Sequence, residues 1–153
     1  MSPASSATRV SANTAPRINA AIEDDIRERL IAYAARLDAI EGRLRELDRE
    51  WDIERAIEAN AATLALSGVL LAVLHDRRWL VLPALVTAFL LQHALQGWCP
   101  PVPVLRRLGF RTPAEIARER MALKALRGDF EGVTTFEARD TRDRATEALR
   151  ATH

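Results

Sequence analysis

The sequence predicts an all-α protein with an N-terminal coiled-coil-like helix, a two-helix transmembrane hairpin and a C-terminal amphipathic helix. Apolar residues recur at alternating steps of four and three between residues 26 and 51, two long uncharged runs follow, and helix-capping residues flank the stretch after residue 111. These three observations divide the 153 residues into six segments, which are 1–18, 19–55, 56–99, 100–111, 112–130 and 131–153.

The first segment, residues 1–18, is rich in serine and alanine and contains no acidic residue. Such a composition cannot bury enough apolar surface to offset the entropy lost on ordering, so we expect a disordered tail. The segment has no apolar core of the kind that a secretory signal requires, and its likeness to a transit peptide is faint.

The second segment, residues 19–55, carries the a/d spacing of a coiled coil over about three and a half heptads. Three flanking pairs would be opposite in sign across a parallel dimer: Arg36 with Glu41, Arg43 with Asp48, and Glu50 with Arg55. We therefore predict a homodimer, while an amphipathic helix packed against its own chain remains the alternative. The predicted dimer interface consists of Leu30, Tyr33, Leu37, Ile40, Leu44, Leu47 and Trp51.

The third segment, residues 56–99, predicts transmembrane helices at 56–75 and 79–98. The second run holds no Asp, Glu, Lys or Arg over about 20 residues, which is the length that spans a bilayer core. Trp79 and Trp98 flank this run and would lie roughly 28 Å apart along a helix, near the two interfacial belts that tryptophan prefers. A soluble core hairpin is the alternative, but no third segment is apolar enough to cover both runs.

The turn between the two runs is short, so the helices should be antiparallel neighbours. Arginines are more numerous outside the pair than at its tip, which predicts that both termini are cytoplasmic. Asn60 and Thr63 on the first helix should meet Gln92 and Gln96 on the second at the same depth. We interpret these four residues as inter-helix polar contacts, each contributing about 0.6 kcal/mol, with a small polar pathway as the alternative.

The remaining segments lie after the hairpin. Residues 100–111 are rich in proline and should form an extended segment at the lipid interface, with Arg106 and Arg107 facing the headgroups. Residues 112–130 should form an amphipathic helix with Thr112 as its cap and Gly128 just past its end. This helix would dock on the membrane or on the N-terminal helix. The charged tail, residues 131–153, should be a short solvated helix or disordered.

The order of these elements resembles a known family. An ER pair at 54–55 precedes two apolar helices, and GWCPPVPVLRRLG follows the second, which resembles the YgaP-like inner-membrane domain family of the DUF2892 type. The flanks NTAP (13–16), ELDREWDIER (46–55) and ALKALRGDF (122–130) resemble a bacterial subgroup of these proteins. The residues that match the motif after the second helix are Gly97, Cys99, Pro100, Leu108 and Gly109.

The resemblance implies a dimeric helical hairpin in the bacterial inner membrane. Some members of the family carry a rhodanese domain with a cysteine persulfide. In this chain Cys99 is followed by PPVPV and no α/β pattern could hold such a domain. Sulfur-transfer chemistry is therefore not implied.

No motif for catalysis stands out, so we expect a protein that is not an enzyme and binds no cofactor. The 22 basic and 21 acidic residues nearly cancel, which argues against nucleic acid as a partner. The sequence favours a non-catalytic anchor and oligomerisation module of the bacterial inner membrane, with lipid, a second copy and a cytoplasmic protein as partners. The alternative is a dimeric transport, thiol-sensing or metal-sensing unit that uses His93 and Cys99.

Overall fold

The computed structural model describes residues 7–131 and 141–152 and confirms the all-α class, since no strand occurs among the described residues. The chain divides into two compact units, which we call the hairpin unit (residues 1–22 and 51–114) and the outer unit (residues 23–50 and 115–153). The helices are α1 (Arg9–Ala12), α2 (Pro16–Ala34), α3 (Ile40–Arg49), α4 (Ile53–Leu74), α5 (Val81–Gln96), α6 (Val102–Arg107), α7 (Pro113–Arg127) and α8 (Thr141–Thr152).

The hairpin unit is built around α4 and α5, which are antiparallel and are joined through a 3₁₀ turn at Arg77–Leu80. Asp52 begins α4 by accepting a hydrogen bond from the Arg55 backbone N–H at 2.8 Å, and Asp76 accepts one from the Arg78 N–H at the tip. The segments Leu37–Leu74 and Arg77–Gln96, which contain α4 and α5, are each long and apolar enough to cross a membrane by length and composition. The run predicted at 56–75 lies in α4, whereas the run predicted at 79–98 begins in the 3₁₀ turn and continues as α5 to Gln96.

The two helices approach each other closely at Gly68. A Cβ atom at this position would lie 2.5 Å from Cδ of Pro83 and 3.1 Å from Cβ of Leu82. Ala61 and Ala65 are half-buried and precede Gly68 on α4 at the spacing of one helix face. Small side chains therefore bring the two helices together, as such residues do between helices in membranes.

The predicted polar contacts between the two helices are not formed. Thr63 Oγ1 donates to the Ala59 carbonyl of its own helix at 2.7 Å. Among the described residues, no hydrogen bond joins Asn60 or Thr63 to Gln92 or Gln96. A threonine hydroxyl can be satisfied by the carbonyl four residues earlier in its own helix, so close packing needs no polar bridge.

The continuous helix predicted over 19–55 is wrong. α2 ends at Ala34, a 3₁₀ turn follows at Leu37–Ala39, and α3 ends at Arg49 before α4 begins. The stripe is therefore divided among several elements, and a single straight seam toward a second copy does not exist.

The apolar stripe is instead buried within the outer unit. Ile40, Leu44 and Leu47 pack with Ile116 and Leu123 of α7, and Leu30 and Tyr33 pack against this cluster. The alternative of packing against the same chain therefore holds for these residues, because α7 supplies the apolar face that a second copy would otherwise provide.

Two members of the predicted interface lie outside that cluster. Leu37 is 53 % exposed and Trp51 is 48 % exposed. The Arg55 guanidinium lies 4.5 Å from the centroid of the Trp51 ring. Trp51 therefore packs against a cation of its own unit.

Charges that the heptad pattern assigned to a dimer form ion pairs inside the outer unit. Arg43 donates through Nε to Glu119 Oε1 at 2.9 Å, and Glu119 is fully buried. Burial lowers the pKa of Arg43, but its hydrogen bonds to Glu119 and Glu46 outweigh burial and raise it overall. Arg120 pairs with Asp48 at 2.5 Å. These pairs join α3 to α7.

Two of the other predicted segments differ from the structure, and in the charged tail the helical one of the two predicted alternatives is found. Residues 7–18, predicted to be disordered, contain α1 and the start of α2, while residues 1–6 lie outside the described residues. Residues 100–111, predicted to be extended, contain α6, and Arg106 is buried rather than facing headgroups. In the charged tail α8 forms, and the Ala151 carbonyl accepts a hydrogen bond from Lys124 at 3.3 Å.

The helix predicted over 112–130 is confirmed as α7, which begins at Pro113 and ends at Arg127. Gly128 follows with φ 88°, the left-handed conformation that glycine adopts without strain. The Asp129 N–H donates to the Lys124 carbonyl and the Gly128 N–H to the Ala125 carbonyl, which is a Schellman ending.

Candidate functional site

The candidate site lies at the base of the hairpin, where α1 docks against the ends of α4 and α5. Val10 of α1 is buried in an apolar cluster that includes Ile53 and Ile57 of α4, Cys99, and Val102 of α6. Three separate stretches of the sequence therefore meet in one small core.

A charged trio lies beside this core. Glu54 Oε2 is 2.6 Å from His93 Nε2, and Glu54 Oε1 is 3.2 Å from Arg9 Nη2. A carboxylate oxygen can only accept, so with neutral histidine Nε2 carries the hydrogen and donates it to Glu54. His93 is 3 % exposed, and its Nδ1 has no hydrogen-bond partner among the described residues. One carboxylate therefore holds both a cation and an imidazole.

The docked segment also caps the end of α5. Arg9 Nη1 donates to the Ala94 carbonyl at 2.9 Å, and Asn13 Nδ2 donates to the Gln96 carbonyl at 2.8 Å. The last carbonyls of a helix lack partners within the helix, and α1 supplies donors for two of them. Gly97 allows this approach, because a Cβ there would lie 2.6 Å from the Arg9 carbonyl carbon.

The buried arginine of α6 ties the start of the chain to the same region. Arg106 is 1 % exposed and donates to Thr14 Oγ1 at 3.2 Å, to Asn19 Oδ1 at 2.9 Å and to the Phe110 carbonyl at 3.1 Å. A buried guanidinium is stable only with several acceptors. Thr14 and Asn19 provide two of them.

Cys99 lies just beyond α5 and is 2 % exposed. Burial raises the pKa of its thiol, and the negative charge of Glu54 adds to this effect. Since the thiolate is the reactive form of cysteine, the docked state disfavours thiol chemistry. Cys99 also borders an apolar groove of about 210 Å³ between α4 and α5, which Ile57, Leu64 and Phe89 help to line.

The predicted site residues have different surroundings in the structure. Trp79 and Trp98 are 41 % and 36 % exposed near the two ends of the second apolar run, and their place at a membrane interface stays a prediction. His93 and Cys99 lie in the same unit, but His93 pairs with Glu54 and Cys99 packs among apolar side chains. Within the described residues, no group of three or more His, Cys, Asp or Glu side chains is placed to hold a metal.

Sequence reasoning missed Arg9, Asn13 and Arg106 as members of this site. The first two fall in a stretch whose composition predicts disorder, and Arg106 stands beside Arg107 in what reads as a basic interfacial pair. A signal was present in Pro16, because proline favours the first position of a helix. That signal predicts where α2 begins and does not extend to the docking of Arg9 and Asn13, which tertiary contacts decide.

Comparison of the chain with family models, with curated proteins and with solved structures finds no match. The resemblance to the YgaP-like family therefore stays a prediction. Three of the residues on which it rests, Glu54, Gly97 and Cys99, lie together at the base of the hairpin, where Gly97 and Glu54 both contact Arg9.

Proposed function

We propose that this chain is a non-catalytic membrane protein in which α4 and α5 insert as a hairpin and the outer unit remains in water as a surface for a cytoplasmic partner. The observation that carries the proposal is the exposure of large apolar side chains along both helices. Val73 is 78 % exposed, Leu74 81 %, Leu91 61 % and Leu95 73 %. Contiguous apolar surface of this kind marks a membrane or protein interface.

The energetics favour lipid as the medium around the hairpin. Transfer of one leucine or valine side chain out of water contributes about 1.5–3 kcal/mol, and each helix exposes several of them. The charged residues of the hairpin unit lie toward its two ends, with Arg77 and Arg78 at the tip and the trio around Glu54 at the base. This distribution supports a transmembrane hairpin.

Fractionation tests the insertion of the hairpin. Membranes that contain the full chain are washed with alkaline carbonate, and we expect the protein to stay in the pellet until detergent is added. A soluble protein known to adhere peripherally to the same membranes serves as the released control. Recovery of the chain in the carbonate supernatant would refute the insertion.

The orientation is tested with single cysteines in a Cys99→Ser background. His75→Cys lies at the exposed tip, and Arg17→Cys lies at an exposed position of α2. With both termini cytoplasmic, an impermeant maleimide should label His75→Cys in intact cells and Arg17→Cys only after permeabilisation. The reverse pattern would require the opposite topology.

The bacterial inner membrane as the location, and kinship with YgaP-like proteins, are parts of this proposal that rest on the order of the sequence elements. The homodimer also stays a prediction, but the a/d stripe no longer supports it. Chemical cross-linking of the protein in membranes, compared at two expression levels, measures whether a dimer forms.

The transport, thiol-sensing or metal-sensing alternative gains no specific support. His93 Nε2 is engaged by Glu54, and the Cys99 thiol is buried in an apolar cluster. We therefore place the anchoring role first.

A further inference from the structure

The N-terminal segment of residues 7–14, which we call the strap, is held mainly by polar contacts, among them the hydrogen bonds of Arg9 and Asn13 to α5 and of Arg106 to Thr14. Its helix α1 has four residues, and Val10 is its one buried apolar side chain. A short element with little apolar burial opens at low free energy compared with the core. The strap is therefore the part of the hairpin unit that is best suited to detach while α4 and α5 stay folded.

The net charge of Arg9, Glu54 and His93 indicates what would detach the strap. With Arg9 protonated, Glu54 ionised and His93 neutral, the trio has no net charge. One added proton makes the net charge +1, whether it binds to Glu54 or to His93. In the first case Arg9 loses its anionic partner, and in the second the single carboxylate charge must balance two neighbouring cations, which repel each other.

The neighbouring groups named here supply no second negative charge to balance the added proton. The groups that face Glu54 are Arg9 from α1, His93 from α5 and the Cys99 thiol beyond α5. Among the described residues, Thr112, Pro113 and Ala114 at the start of α7 line the pocket beside Glu54 and Arg9. An unbalanced charge in a partly buried site is costly unless it reaches water. The Arg9 side chain is 25 % exposed in the docked state and becomes fully hydrated when the strap leaves.

We propose that the strap is a proton-released cover over the base of the hairpin, and that acidification detaches it and opens the Cys99 cluster to water. Val10 shares that cluster with Cys99, so detachment removes one of its walls. It also frees the carbonyls of Ala94 and Gln96 at the end of α5. The switch depends on contacts within the hairpin unit and is independent of the proposed partner of the outer unit.

The native thiol reports on the strap, because Cys99 is the single cysteine of the chain. The full-length protein in lipid vesicles or detergent is treated with a small water-soluble thiol reagent between about pH 8 and about pH 5, the interval in which histidine titrates. Each rate is divided by that of the urea-unfolded chain at the same pH, so that the ionisation of the thiol cancels. We expect that Cys99 is protected from the reagent at about pH 8 and that this protection is about tenfold weaker at about pH 5.

Matched variants separate the strap from general charge effects. Arg9→Gln removes the ion pair and should lose about tenfold protection at the upper pH. Arg17→Gln removes the same charge from an exposed position nearby and should behave as the unmodified chain. Equal protection of these two variants, or protection that does not change with pH, would overturn the proposal.

A second variant acts from the opposite side of the contact. Gly97→Ala places a Cβ 2.6 Å from the Arg9 backbone and should release the strap at the upper pH. Circular dichroism checks that α4 and α5 remain helical in each variant. A folded Gly97→Ala protein with full protection of Cys99 would contradict the docking that the switch requires.

Discussion

Replacing Leu47 by alanine should destabilise the outer unit much more than the same change at Leu37. The heptad pattern places both leucines in one dimer seam, where they would contribute alike. In the structure Leu47 is 2 % exposed and packs within the cluster of α3 and α7, whereas Leu37 is 53 % exposed. Truncation of a buried leucine costs about 2–5 kcal/mol, of which part is the cavity left behind. We expect about 2–4 kcal/mol for Leu47→Ala and less than about 1 kcal/mol for Leu37→Ala.

Hydrogen exchange measured by mass spectrometry resolves this difference without unfolding the hairpin. A loss of about 2–4 kcal/mol corresponds to amide exchange roughly 30- to 1,000-fold faster, limited by the total stability of the unit. The acceleration should appear in both α3 and α7 and should not depend on protein concentration, because the contact is within one chain. Equal effects of the two variants, or an effect that vanishes at high concentration, would refute the intramolecular core.

Three further predictions concern other contacts. Gly68→Ala should destabilise the hairpin by about 1–3 kcal/mol, because the added Cβ would overlap the Pro83 ring of α5. Gly42 has open space around it, so Gly42→Ala should stabilise α3 by about 0.5–1 kcal/mol. Thermal unfolding in detergent measures both changes. Glu119→Gln should cost the outer unit about 2–3 kcal/mol, because half-buried Arg43 loses its buried charged acceptor. Glu46→Gln removes the exposed acceptor of the same arginine and should cost less than about 1 kcal/mol. Urea titration measures both changes. The hydrogen bond from Arg127 lowers the pKa of Asp129. The stabilisation that this pair gives to the end of α7 is therefore present above the unfolded-state pKa of Asp129 and is lost as the pH falls through the folded-state pKa. Asp129→Asn should abolish this acid-dependent loss of hydrogen-exchange protection.

The sequence predicts some residues of the candidate site but does not predict their partners. His93 and Cys99 were identified because they are rare polar or reactive groups at the end of an apolar run. Their partners were not, because Arg9 and His93 are separated by more than eighty residues and no periodicity relates them. Only the docking of α1 shows that Glu54 is shared by the two.

The sequence by itself determined the elements whose causes are local. Uncharged runs of sufficient length determine the two long helices, and proline and glycine determine where α7 begins and ends. The tertiary structure alone decided what each apolar stripe is buried against. A heptad spacing specifies an apolar face, but the free energy of burial is the same whether a second copy or a later helix covers that face. Here α7 covers the face of α3, and α1, whose composition predicts disorder, is held by partners far away in the sequence.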